Sequence, residues 1–115
     1  MTNIDMVRIP GKKKGAAVYG LQVNGHAEYA EDGKDIVCAG ISTITYSLAE
    51  YLAESANVDV TQMDMAPGDV RIACSGSADE AFKMAFLGYA MLQKQYPQNV
   101  LLEIDDKCDA ICGEL

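Results

Sequence analysis

The chain has no tryptophan, two phenylalanines, three prolines and a single histidine. Without large indole rings, a core has to be built from aliphatic side chains, methionine and the six tyrosines. Basic residues are also scarce, with nine Lys and Arg against 17 Asp and Glu, for a formal charge of −8. That balance excludes a broadly basic phosphate-binding surface, so no direct nucleic acid binding is expected, and it fits basic partners better. The N-terminal segment MTNIDMVRIPGKKKG has no apolar core after a basic start. No run approaches the length of a membrane span either, so no membrane association is expected and the protein is placed in the cytoplasm. In a reducing compartment the four cysteines are expected as thiols rather than as a disulfide framework.

What is present suits one ordinary folded domain. Half of the 115 residues are hydrophobic and 23% are charged, which argues against disorder. The domain is expected to span 1–115, with a loose tail over 105–115. Ile4 to Ile9 reads as a strand, followed by the turn Pro10-Gly11-Lys12-Lys13-Lys14-Gly15 with a solvated basic tip. Ala17, Tyr19, Leu21 and Val23 alternate with Val18, Gly20 and Gln22, so this second strand has one apolar face and pairs with the first as a hairpin.

Asn24 to Lys34 is polar and holds the histidine, which reads as an exposed loop. Val37, Ile41, Ile44, Leu48 and Leu52 then mark one face of a helix of about five turns, with Asp35 at the N-cap. Asn57–Gln62 and Val70–Cys74 read as a second hairpin around Ala66-Pro67-Gly68-Asp69, whose Pro-Gly pair suits a type II turn. Met63 to Met65 is read as an irregular strand end. Ser77 and Glu80 form a capping box for a second helix, whose apolar face is Phe82, Ala85, Phe86, Tyr89 and Leu92 and which stops before Pro97. Val100 to Ile104 is a last strand. The expected class is α/β of the α+β kind: a mixed, mostly antiparallel sheet of about five strands with two main helices.

Few side chains are available for chemistry. With Asp35 as N-cap, Cys38 is the third residue of the helix, close to unpaired N–H groups at the positive end of the helix dipole, where a thiolate is stabilised. His26 lies in the loop just before it and, folded back, completes a Cys-His pair able to attack a carbonyl and protonate the leaving amine. The N–H groups of Cys38 and Ala39 are candidates for an oxyanion hole. Spacing alone leaves open the plainer alternative of a small buried cysteine and a solvated histidine. Cys38 has no Cys-x-x-Cys partner, which argues against a thiol redox enzyme. Cys74 alternates with Val70 and Ile72 and reads as core. Cys108 and Cys112 stand one helical turn apart, but zinc needs four ligands and no second pair lies nearby, so no metal and no other cofactor is expected.

The segment Gly25-His26-Ala27-Glu28-Tyr29-Ala30-Glu31-Asp32-Gly33-Lys34-Asp35-Ile36-Val37-Cys38-Ala39-Gly40-Ile41-Ser42 strongly resembles the signature of the ribosomal-processing cysteine proteases, the Prp family. Gly-His-Ala, an acidic and aromatic loop, Gly-x-Asp-Ile-Val-Cys-Ala, and a serine four residues after the cysteine all match. Tyr96-Pro97 also resembles the family's C-terminal part, while Gly40 departs from it at a position more often filled by Ala. The resemblance implies that Cys38 is the nucleophile and His26 the general base, with Asp35 and Ser42 supporting them. For Asp35 capping alone is a sufficient explanation, and for Ser42 a bond back to its own helix is. Gly25 and Gly33 are expected to let the loop close over a peptide. The implied substrate is the precursor of a large-subunit ribosomal protein, number twenty-seven of the L series, whose N-terminal extension is removed; a homodimer is also implied. The rival reading is a non-catalytic module that binds a basic ribosomal protein.

Overall fold

Alternating apolar side chains need one covered face, and the sheet supplies it. The computed structural model describes residues 1–13, 15–31 and 35–105. Within them the chain forms β1 (Thr2–Ile9), β2 (Val18–Asn24), α1 (Ile36–Glu54), β3 (Val58–Ala66), β4 (Asp69–Gly76), α2 (Asp79–Gln95) and β5 (Val100–Ile104). This is the expected order of elements. The strands make one sheet, β3-β4-β2-β1-β5, antiparallel throughout except for the parallel β1–β5 pair.

Register brings the apolar positions into rows. Ile4, Val23 and Val70 are paired across three strands, as are Met6, Leu21 and Ile72, and all six are buried. Val37, Ile41, Leu48 and Leu52 of α1 and Phe82, Ala85 and Tyr89 of α2 close the core over them. Tyr19 stacks on Phe82 at 4.8 Å between ring centroids, a contact that contributes about 0.5–1.5 kcal/mol beyond its burial. The Tyr19 hydroxyl donates to Asp79, which also accepts from Arg8 Nε at 2.8 Å. On the opposite face of the sheet Glu103, Asp5, Gln22, Arg71 and Asp64 form a polar row across all five strands.

Three expectations are corrected. β3 runs on to Ala66, and Met63 to Met65 lie within it. A bulge between Val60 and Gln62 shifts the alternation by one, so that Val60 and Met63 both face the core side and Gln62 stays out. Ser77 does not cap α2: the N-cap is Ala78, with no side-chain cap bond. The chain turns tightly through Gly76, with Ala78 N–H bonded to Gly76 O, and Asp79 and Glu80 in the first turn balance the helix dipole instead. Finally, α1 is by length and composition long and apolar enough to cross a membrane. Its buried stripe, Val37, Ile41, Thr45, Leu48, Ala49 and Leu52, packs in the core.

Candidate active site

The end of β2 has to turn sharply, and Gly25 makes the turn at φ 88. A Cβ there would lie 2.6 Å from the carbonyl oxygen of Met1, and the Gly25 N–H donates to Gly68 O at 2.9 Å. The glycine thus sits between the start of β1 and the β3–β4 turn, in a conformation that a side chain would strain. His26 follows with its side chain exposed. Its ring lies over Gly68, where an added Cβ would come within 2.8 Å of Nε2. Gly68 has φ 73, as a type II turn requires.

On the other side, Asp35 caps α1 as expected. Its Oδ1 accepts from the N–H groups of Val37 at 3.0 Å and Cys38 at 2.9 Å. Its Oδ2 accepts from the N–H groups of Tyr29 at 2.9 Å and Ala30 at 3.4 Å, tying the preceding loop to the helix. Burial raises the Asp35 pKa, but hydrogen bonds from the Cys38, Tyr29 and Ala30 N–H groups and from the Cys38 side chain outweigh it. The carboxyl is held below its ordinary 3.8. Tyr29 packs edge-on against Tyr96 at 5.2 Å, which joins the loop to the end of α2.

Cys38 is partly buried, and its Sγ accepts the Ala27 N–H at 3.3 Å. Ala27 is itself buried, and its carbonyl accepts from Asn99 Nδ2 at 2.9 Å. The sulfur therefore meets both a backbone donor and the positive end of a helix dipole. Cys38, Ile41, Ser42, Thr45 and Tyr46 follow one stripe of α1 into a cavity of about 200 Å³. His26 and Gly25 line the same cavity from the end of β2, and Ala66 to Asp69 line it from the β3–β4 turn. Thr45 is fixed by bonds to Ile41 O at 2.7 Å and to the Tyr89 hydroxyl at 2.6 Å. Burial pushes the Tyr89 phenol up to about 12 despite that bond.

The structure brings His26, Cys38, Gly25 and Ser42 to one cavity, with Asp35 behind Cys38. Gly33, Cys108 and Cys112 lie outside the described residues, as does most of the expected tail. Cys74 is in the core, and burial raises its thiol to about 11. The expectation of unpaired N–H groups at Cys38 and Ala39 is corrected. Asp35 takes both, through its carboxylate at 2.9 Å and its backbone carbonyl at 3.0 Å, because a side-chain cap and the first helical bond fall on those positions. Among the described residues no group of three or more His, Cys, Asp or Glu side chains is arranged to hold a metal. Sequence reasoning missed Ala27, Gly68 and Asn99. Gly68 stood out only as a turn residue, and the pairing of Asn99 with Ala27 spans 72 positions without any local pattern.

The fold has solved counterparts. It is similar to the essential ribosomal processing protease Prp from S. aureus in complex with a covalently linked product peptide, with TM-score 0.71 and 21% identity over 91% of this chain and 100% of that one. The S. aureus protease in complex with a substrate peptide gives TM-score 0.62 and 22% identity, over 91% and 100% of the two chains. SMU.848 from Streptococcus mutans gives TM-score 0.64 and 29% identity, over 90% of this chain and 93% of that one. No match among curated proteins was found. A family model described as cysteine protease Prp matches residues 6–101, a span that holds both His26 and Cys38, and the chain belongs to that family.

Proposed function

We propose that this protein is a cysteine endopeptidase in which Cys38 is the nucleophile and His26 the general base, and that it removes the N-terminal extension of large-subunit ribosomal protein number twenty-seven. The observation that carries this reading is the shared cavity: the helix stripe that begins at Cys38 and the loop bearing His26 face one space. His26 takes the Sγ proton as sulfur adds to the scissile carbonyl carbon. When the tetrahedral intermediate collapses, the C–N bond breaks and the same proton passes to the leaving amine, leaving a thioester on Cys38. Water, deprotonated by His26, then hydrolyses the thioester and returns the sulfur to its thiol form.

Asp35 supports the site by holding the Cys38 turn and the loop together, and Ser42 stands one turn from the nucleophile on the cavity wall. The peptide-bound states of the S. aureus protease favour a peptide substrate. The acidic character of the chain suits a basic ribosomal protein. Free thiols at Cys38 and Cys74 suit a reducing cytoplasm, and a homodimer is part of the same reading. The test is incubation of the ribosomal protein precursor with wild type, Cys38→Ala and His26→Ala. Wild type is expected to shorten the N-terminus, read by mass spectrometry, and both variants to leave it intact. Full cleavage by either folded variant refutes the assignment.

A further inference from the structure

We propose that Asn99 is a positioning residue for the cleavage reaction: its side-chain amide holds the Ala27 carbonyl and thereby keeps the Ala27 N–H aimed at the Cys38 sulfur. The proposal rests on the reading of Cys38 as nucleophile. Ala27 is held at three points, by its buried methyl, by Asn99 Nδ2 at 2.9 Å and by Sγ at 3.3 Å. It needs such anchoring, because the backbone on either side is left-handed, at Gly25 with φ 88 and at Glu28 with φ 57. For Glu28 that conformation costs about 1–2 kcal/mol, and it persists only where its surroundings fix the chain. Asn99 fixes it from one side, and Asp35 Oδ2, accepting from Tyr29 N–H, fixes it from the other.

Asn99 is itself well placed to act as a strut. Its backbone N–H donates to Tyr96 O at 3.0 Å, its carbonyl accepts from Thr2 N–H at 2.9 Å, and the next residue, Val100, is fully buried at the start of β5. The rigidity of the sheet is thus carried through one amide to the peptide beside the nucleophile. During acylation negative charge moves from sulfur to the oxygen on the carbon it attacks. The N–H groups of Cys38 and Ala39 are held by Asp35, whereas the Ala27 N–H already faces the reacting atom.

The test compares Asn99→Leu, which removes the donor without adding charge, with Asn99→Gln, which keeps it. Asn99→Leu is expected to lower kcat on a peptide carrying the cleavage site, and the iodoacetamide alkylation rate of Cys38 at pH 7, each about tenfold, with KM within about twofold. Asn99→Gln is expected to retain more of both rates. Wild-type rates in folded Asn99→Leu overturn the proposal, as do equal losses in the two variants, which mark a turn-forming role only. If circular dichroism shows Asn99→Leu unfolded, Asn99→Ala takes its place with the same expectations. The alkylation arm needs no proteolysis, so the two readings fail separately. Cleavage by Cys38→Ala removes the nucleophile assignment, whereas inactive Cys38→Ala beside wild-type alkylation in Asn99→Leu removes only the role of Asn99.

Discussion

Replacing Gly68 with alanine separates the histidine's placement from the stability of the fold. Gly68 has φ 73, and an alanine held there costs about 1–2 kcal/mol. Its Cβ would also stand 2.8 Å from His26 Nε2 and 3.2 Å from Cε1. A relaxed contact needs roughly 3.5 Å, so the imidazole has to retreat by about 0.7 Å. Because the ring is exposed, moving it costs little folding free energy. Catalysis is less tolerant: a displacement approaching 1 Å can cost about 100-fold, and a general base contributes roughly 10²–10⁴-fold in all. Gly68→Ala is therefore expected to lower kcat about 10- to 100-fold while unfolding in denaturant shows a loss of only about 1–2 kcal/mol. Gly15→Ala is the control. Gly15 has φ 78, and among the described residues its added Cβ would meet Ser77 Oγ at 3.5 Å, outside the cavity, so it carries the same backbone cost away from the site. Peptide cleavage and urea denaturation on both variants make the comparison. If folded Gly68→Ala cleaves within twofold of Gly15→Ala, the His26 position is not what the turn controls.

Asp35→Ala is expected to destabilise the protein by about 1 kcal/mol through loss of the N-cap and to reduce cleavage, since the same carboxylate holds Tyr29, Ala30 and Cys38. Because the folded carboxyl is held below 3.8, its contribution is complete above that value and lost as pH falls through the lower folded value. Unfolding measured on the acid side of 3.8 should therefore lose a component in wild type that is missing in Asp35→Asn. Gly40→Ala is expected to stabilise α1 by up to about 1 kcal/mol. Its new methyl would rest 3.4 Å from both Leu92 methyl carbons, outside the cavity, so the melting temperature should rise with kcat unchanged.

The parts of the fold set by local periodicity were readable in advance. Alternation in Tyr19, Leu21 and Val23 and the helical spacing of Val37, Ile41 and Leu48 each fixed an element and its buried face. Asp35 was readable as an N-cap because capping depends on a few adjacent residues. The bulge in β3 was not, since its extra residue is defined by the partner strand β4. Ser77 and Glu80 had the spacing of a capping box, but the turn through Gly76 starts the helix one residue later. At the site, the sequence pattern placed Cys38 at the helix start and His26 in the loop before it. It could not show that Asp35 already occupies the N–H groups of Cys38 and Ala39. Nor could it show that Gly68 and Asn99 arrive from two distant turns.

The stripe of α1 that lines the cavity also acts as a ruler. From Cys38 to Tyr46 the helix rises about 12 Å at 1.5 Å per residue. An extended peptide covers that distance in between three and four residues, at about 3.3 Å each. With Cys38 as the proposed nucleophile, a peptide laid along this stripe meets α1 over only that many positions from the scissile bond. Selectivity for anything farther along the chain must come from a different surface of the protein.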